Sequence, residues 1–244
     1  MDSFQPAVIA PQPYLPDYGP WNSLADTSVH DLLEAASLWL LERGDQIDAS
    51  LGIVVSGTLA VERELSDGRR VLASLFHEGD LVDLRRTERM RQGALIALKS
   101  SEFLHLDETR VDDRAATNPE LAKAFIAQLA DHFARMQDHA TDLASKTPLE
   151  RMASVLFEFK RWPETTPAER SRDIVRIPIS RIDIADYIGV KPETVSRAIR
   201  ELEREKLIGI PHQDQILLAD IPSMRGIANG GRPRRSNGRQ NAQG

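Results

Sequence analysis

The chain has 244 residues, 41% of them apolar and 5% aromatic, which suits two modest globular domains better than one. It has no cysteine, which excludes disulfides, thiolate zinc sites and cysteine-ligated iron–sulfur clusters; no apolar run nears the roughly 18 residues of a membrane span and residues 1–20 lack a basic-then-apolar leader, so a cytoplasmic protein without membrane contact is expected. The net charge of −6 conceals two unlike parts, since residues 1–146 hold 14 Lys and Arg against 24 Asp and Glu while residues 147–244 hold 17 against 13, as in a nucleic-acid-binding module joined to a domain of another kind.

Residues 1–22 carry Pro6, Pro11, Pro13, Pro16 and Pro20 without periodicity and read as a disordered, extended arm. A short helix is expected from about Asp26 to Leu38, capped by Asp26 or Thr27, with Leu32, Leu33, Ala36 and Leu40 at near-helical spacing. From Trp39 to Leu106, short Val-, Ile- and Leu-rich runs are separated by the turn pairs Gly44-Asp45, Ser56-Gly57, Asp67-Gly68 and Gly79-Asp80. That pattern predicts successive hairpins closing an antiparallel roll or barrel, with Asp67-Gly68 the strongest signal because both residues tolerate positive φ. Residues 23–118 are assigned to this roll-like domain.

Beyond Pro119 no Gly or Pro interrupts the chain to about Ser145, and Leu121, Phe125, Leu129, Phe133, Met136, Ala140 and Leu143 recur at steps of three and four. A long helix over 119–145 with a narrow apolar seam follows. Such a seam is commonly ordinary core; its length and its place between two domains favour a dimer coiled coil. After Thr147-Pro148 a helix from Leu149 to about Arg161 is expected, then a loop over WPETTPAERS at 162–171.

Residues 176–208, RIPISRIDIADYIGVKPETVSRAIRELEREKLI, predict two helices joined by a tight turn. Ser180 suits the cap of a first helix containing Ile182, Ile184, Ala185 and Ile188, and Gly189 suits the turn. Pro192 suits the first turn of a second helix, whose buried side is Val195, Ile199 and Leu202. Its outer face presents Glu193, Ser196, Arg197 and Arg200, the arrangement of a helix-turn-helix whose second helix enters the major groove. Arg197 suits guanine O6 and N7, and Glu193 cytosine N4, with Ser196 reaching a neighbouring base; Ser180, Lys191, Thr194 and Arg200 complete the expected DNA-binding set. The competing explanation is that Glu193 and Arg197, four apart, form only a surface ion pair. Leu207–Ile210 and Gln215–Leu218, flanking Pro211-His212-Gln213-Asp214, predict a wing hairpin. The DNA-binding domain is assigned to 146–228, and residues 229–244, with Arg232, Arg234, Arg235 and Arg239, to a disordered basic tail that either adds phosphate attraction or is a plain solvated extension.

These residues resemble the CRP/FNR superfamily of regulators over roughly 38–218. The strongest likeness is IDIADYIGVKPETVSRAIRELEREKLI, whose Glu193-x-x-Ser196-Arg197 is similar to the FNR/FixK side of the family. The resemblance implies an α+β architecture of a cyclic-nucleotide-binding-type β-roll, a long dimerisation helix and a C-terminal winged helix-turn-helix, in a homodimer reading a TTGA-like inverted repeat. In the roll, residues 51–61 and 75–82 look like the family's strands and Gly-Asp turn. The nucleotide pocket departs from the family pattern: where binders carry Phe-Gly-Glu and then Arg-Ser/Thr-Ala, this chain has Val82, Asp83, Leu84 and Gln92, Gly93, Ala94. An anion there would lack its arginine, so no cyclic-nucleotide response and no cofactor are expected.

The arginine-rich segment 85–91 is expected to be solvated, and His77 to be an ordinary turn histidine rather than a haem ligand. No nucleophile–base pair, HExxH or Gly-rich phosphate loop is present, so no enzyme is expected. The alternative to a DNA-binding regulator is a sensor module of the same fold with another effector. Double-stranded DNA, a second copy and RNA polymerase are the expected partners, with activation implied by the resemblance alone.

Overall fold

The computed structural model describes residues 7–9, 32, 35–47, 51–85, 93–162 and 165–231. Among these residues nine strands come first: β1 (Ala7–Ile9), β2 (Ser37–Leu41), β3 (Gln46–Ile47), β4 (Leu51–Ser56), β5 (Thr58–Glu64), β6 (Arg70–His77), β7 (Leu81–Asp83), β8 (Ala94–Ala97) and β9 (Ser101–His105). They form two antiparallel sheets, β1-β2-β9-β4-β7 and β3-β8-β5-β6. Val54, Phe103 and Leu41 from the first meet Leu59, Val61, Phe76 and Leu95 from the second in one sealed core. This is the expected roll, in which alternate residues of each strand point inward.

The turns behave differently from a run of hairpins. Asp67-Gly68 does close the β5–β6 hairpin, with Gly68 alone of the pair at positive φ (79°). The other three turn pairs carry the chain from one sheet to the other. Gly57 marks such a corner: its φ is 92°, and a Cβ there would overlap the Ser101 side chain, whose Oγ accepts from Thr58 N at 3.1 Å. A turn dipeptide records a reversal of direction, but not which sheet receives the next strand.

Two expectations near the N-terminus need correcting. Within the segment expected to be an unstructured arm, Ala7–Ile9 adds a strand to the sheet edge, pairing Ala7 with Leu40 and Ile9 with Leu38. The helix expected to reach Leu38 gives way by Ser37, which begins β2 against β9; most of that expected helix lies outside the described residues.

Helix α1 (Glu108–Thr117), which the apolar pattern had not suggested, and the long α2 (Pro119–Ser145) follow, with Asn118 accepting from Glu120 N and Leu121 N at the start of α2. Val111, Leu121, Ala124 and Phe125 cover the outer face of the first sheet through Leu51, Ile53, Leu81 and Leu104. Further along, α2 is pinned to the β6–β7 turn: Gln128 donates to Gly79 O (3.1 Å), Arg135 pairs with Asp80 (2.8 Å), and His132 stacks on Phe76 (4.5 Å).

The C-terminal domain comprises α3 (Pro148–Arg161), α4 (Pro167–Ser171), β10 (Ile174–Arg176), α5 (Arg181–Ile188), α6 (Pro192–Arg204), β11 (Ile208–His212), β12 (Gln215–Leu218) and α7 (Ile221–Ala228). The expected loop at 162–171 contains α4, nucleated by a Thr166–Glu169 capping box ahead of Pro167. The core of this domain runs on into the roll: Ala60, Leu72, Leu75, Ile96 and Leu98 join Met152, Leu156, Ile184 and Ile188. The two domains therefore meet over an apolar seam.

Beneath α5, Tyr187 stacks face to face on His139 of α2 (3.9 Å) and donates to Glu158 of α3 (3.4 Å). Burial pushes the Glu158 carboxyl up to about 7, against the pull of Arg135, Arg161 and the Tyr187 hydroxyl. The folded chain thus keeps a proton that the unfolded chain releases between pH 4.5 and about 7, so this group costs stability as pH rises through that window. Glu158→Gln should raise the urea midpoint more at pH 8 than at pH 5; an equal shift at both pH values would contradict the assignment.

Candidate nucleic-acid interface

The helix-turn-helix is formed by local chemistry at each joint. Ser180 caps α5 in a box with Asp183, its Oγ accepting from Asp183 N (3.2 Å) and donating to Asp183 Oδ2 (2.6 Å). Helix α5 ends at Gly189, whose left-handed backbone (φ 68°, ψ 42°) a side chain would strain, and whose N–H donates to Ala185 O. Two residues on, Lys191 is extended (φ −82°, ψ 151°) and Pro192 starts α6 with φ already set. The turn is stitched from below by Arg151, which donates to Lys146 O (2.9 Å), Leu143 O (2.7 Å) and Ile188 O (2.9 Å). The end of α2, the start of α3 and the turn of the motif are so tied to one guanidinium.

Helix α6 buries Val195, Ala198, Ile199 and Leu202. On its other side Lys191, Glu193, Arg197 and Arg200 are exposed, with Thr194 and Ser196 half-buried. Among the described residues, Glu193 and Arg197 form no ion pair or side-chain hydrogen bond, so the surface-pair explanation has no support in the geometry. Lys191 gives α6 no side-chain cap, which leaves the first-turn amides without that partner. Ser180 sits apart from this group, half-buried and committed to Asp183.

The wing is three strands rather than two. β11 and β12 pair as the sequence suggests, with a register irregularity between Gly209 and His212, and β10 adds to the outer side of β12, Ile174 facing Leu217. Arg176 holds the wing to α4 through Glu169 (2.6 Å) and Asp214 (2.8 Å). β10 has only three residues and borders a polar loop, which is too short for a periodic signal. Arg151 was likewise invisible as a joint, because its partners are backbone carbonyls that leave no mark in a pattern of side chains.

In the roll, Arg85 departs from the expectation of a solvated arginine segment. Its side chain is buried and forked onto Asp83 (2.9 and 3.0 Å), with Asp112 at 3.1 Å, and these carboxylates raise its pKa further. Residues 86–92, which include the rest of that segment, lie outside the described residues. Both ring nitrogens of His77 are engaged, Nδ1 with Glu78 O (2.9 Å) and Nε2 with Arg135 (2.8 Å).

A roll, a long helix, and a winged helix-turn-helix with a cation-bearing second helix together define a DNA-binding regulator. Residues 150–227 match the Crp-like helix-turn-helix domain. Over 181 residues the chain is 33% identical to the nitrogen fixation regulation protein FixK of Azorhizobium caulinodans, covering 74% of this chain and 72% of that one. FixK of Bradyrhizobium diazoefficiens is 29% identical, over 69% and 70% of the two chains. The solved structure of FixK2 from Bradyrhizobium japonicum superposes with a TM-score of 0.69 at 26% identity, over 79% of this chain and 96% of that chain. The chain belongs to the CRP/FNR family of transcription regulators, on its FixK-like side.

Removing the Arg151 stitch should loosen the motif without touching its outer face. Arg151→Ala would leave three carbonyls to find other partners and cost about 2 kcal/mol by urea unfolding; a loss within a few tenths of a kcal/mol would show that the turn holds itself.

Proposed function

We propose that this regulator binds an inverted-repeat DNA site as a homodimer, with α6 in the major groove, Arg197 reading guanine, Glu193 accepting from cytosine N4, and Lys191, Thr194, Ser196 and Arg200 contacting neighbouring bases and phosphates. Ser180, at the head of α5, lies where that helix would cross the backbone. The observation that carries this reading is the exposed, unpaired Arg197 beside Glu193 on a helix whose opposite face is fully buried. The family resemblance adds a TTGA-type half-site, activation, and contact with RNA polymerase.

The dimer reading is supported by α2. Near its start only Leu121, Ala124 and Phe125 are buried on the roll, whereas Ile126 (65% exposed), Leu129, Phe133 (61%) and Met136 form an apolar stripe uncovered in the single chain. A stripe at three- and four-residue spacing on a long helix is what a parallel partner helix would cover. Pairing there would set two copies of α6 about 34 Å apart. Independence from cyclic nucleotide is supported by Arg85, whose fork is already taken by Asp83 and Asp112.

Selection of bound duplexes from a random pool at fixed salt tests the reading. A TTGA-containing inverted repeat should emerge, unchanged by added cAMP. Arg197→Ala should lose about 1–3 kcal/mol of discrimination at one position per half-site. Absence of any recovered motif, or one that appears only with cAMP, would overturn it. Phe133→Asp should sediment as a monomer and bind the repeat on the order of 100-fold more weakly; a dimeric variant would place the interface elsewhere.

A further inference from the structure

The first helix of the motif is bolted to the roll by charges that its own cap does not need. Asp183 is fully buried, yet its carboxylate meets two arginines from the other domain: Arg43 Nη2 reaches Oδ2 at 2.9 Å and Arg70 Nη1 reaches Oδ1 at 2.9 Å. Arg70 Nη1 also reaches Asp186 at 2.7 Å, one turn along α5. Both arginines are anchored on the roll as well, Arg43 by Leu98 O and Arg70 by Glu62. Among the described residues the other capping boxes, Thr147–Glu150 and Thr166–Glu169, form without any partner from the roll. A buried carboxylate without such partners would carry a large desolvation cost, so the domains are held where the arginines can reach it.

We propose that Arg43 and Arg70 are positioning residues for DNA recognition: by clamping α5 through Asp183 and Asp186 they fix the angle at which each roll presents α6, and so set the spacing between half-sites that the dimer accepts. The chain of contacts is continuous. α5 passes through the Gly189 turn, stitched by Arg151, into α6, so an α5 that cannot rock against β6 gives an α6 that cannot rock. The clamp lies away from the reading face, since Lys191, Glu193, Arg197 and Arg200 remain exposed with it closed. It therefore fits the DNA-bound state rather than blocking it. The apolar seam of Leu72, Ile96 and Leu98 brings the domains together, while the directional ion pairs choose the angle.

This inference rests on the homodimer reading above, and its test separates the two. Affinity of the full-length chain is measured for its recovered inverted repeat and for duplexes with two base pairs added or removed between half-sites, which rotates one half-site by roughly 70°. The wild type should lose at least about tenfold in affinity on either change. Arg43→Gln, whose side chain is half-exposed, and Asp186→Asn, which removes Arg70's contact from the other side, should each narrow that loss, and Arg70→Gln should reduce it to within about threefold. Circular dichroism confirms folding, and if Arg70→Gln fails to fold, the milder pair carries the test. A sharp wild-type preference shared unchanged by folded variants overturns this inference and leaves the dimer reading intact. A wild type without spacing preference overturns both.

Discussion

A carboxylate with no access to water is the constraint around which the two domains are arranged. Asp183 starts as the third helical residue of the capping box headed by Ser180, a role that asks for one oxygen and some solvent. Here both oxygens are used, by Ser180 and by arginines from two places in the roll. Burial alone would push its pKa up; the hydrogen bonds from Ser180, Arg70 and Arg43 outweigh it and hold the group ionised, below the usual range. Once docking has buried this charge it is tolerable only with both arginines in reach, so a polar contact supplies the geometry that an apolar seam between smooth faces leaves loose.

Helix α2 takes on three tasks by presenting three faces. Its first turns complete the core of the first sheet through Leu121 and Phe125. Its second face carries Gln128, His132, Arg135 and His139, which run along the β6–β7 turn and on to Tyr187, so that the roll and the motif touch the same helix. Burial lowers the pKa of both His132 and His139 to about 4, so they act as flat, neutral stacking partners at physiological pH. The third face is the uncovered apolar stripe. Phe125 is buried and Phe133 exposed on what reads as one stripe, because only the first turns of the helix lie against the sheet.

Much of this was legible in the sequence wherever one residue type answers one local demand. Gly189, Pro192 and the spacing of Val195, Ile199 and Leu202 located the two motif helices, and the β5–β6 hairpin followed from Asp67-Gly68. What stayed hidden depends on partners distant in the chain. Nothing about Arg43 or Arg70 distinguishes them from solvated arginines until the roll closes and carries them to Asp183, more than a hundred residues away in the chain. β10 and α7 are short and derive their order from the wing and from α3, so their own periodicity is weak. The sheet-to-sheet corners at Gly44, Gly57 and Gly79 look like hairpin turns because the backbone demand, positive φ, is the same in both.

In the proposed complex two copies of α6 enter successive major grooves on one face of DNA. Guanine N7 methylation interference combined with hydroxyl-radical footprinting on the recovered site tests this directly. Two interference positions are expected, one per half-site and about one helical turn apart, with backbone protection around each on a single face. A single protected half-site, or protection confined to the minor groove, would contradict it.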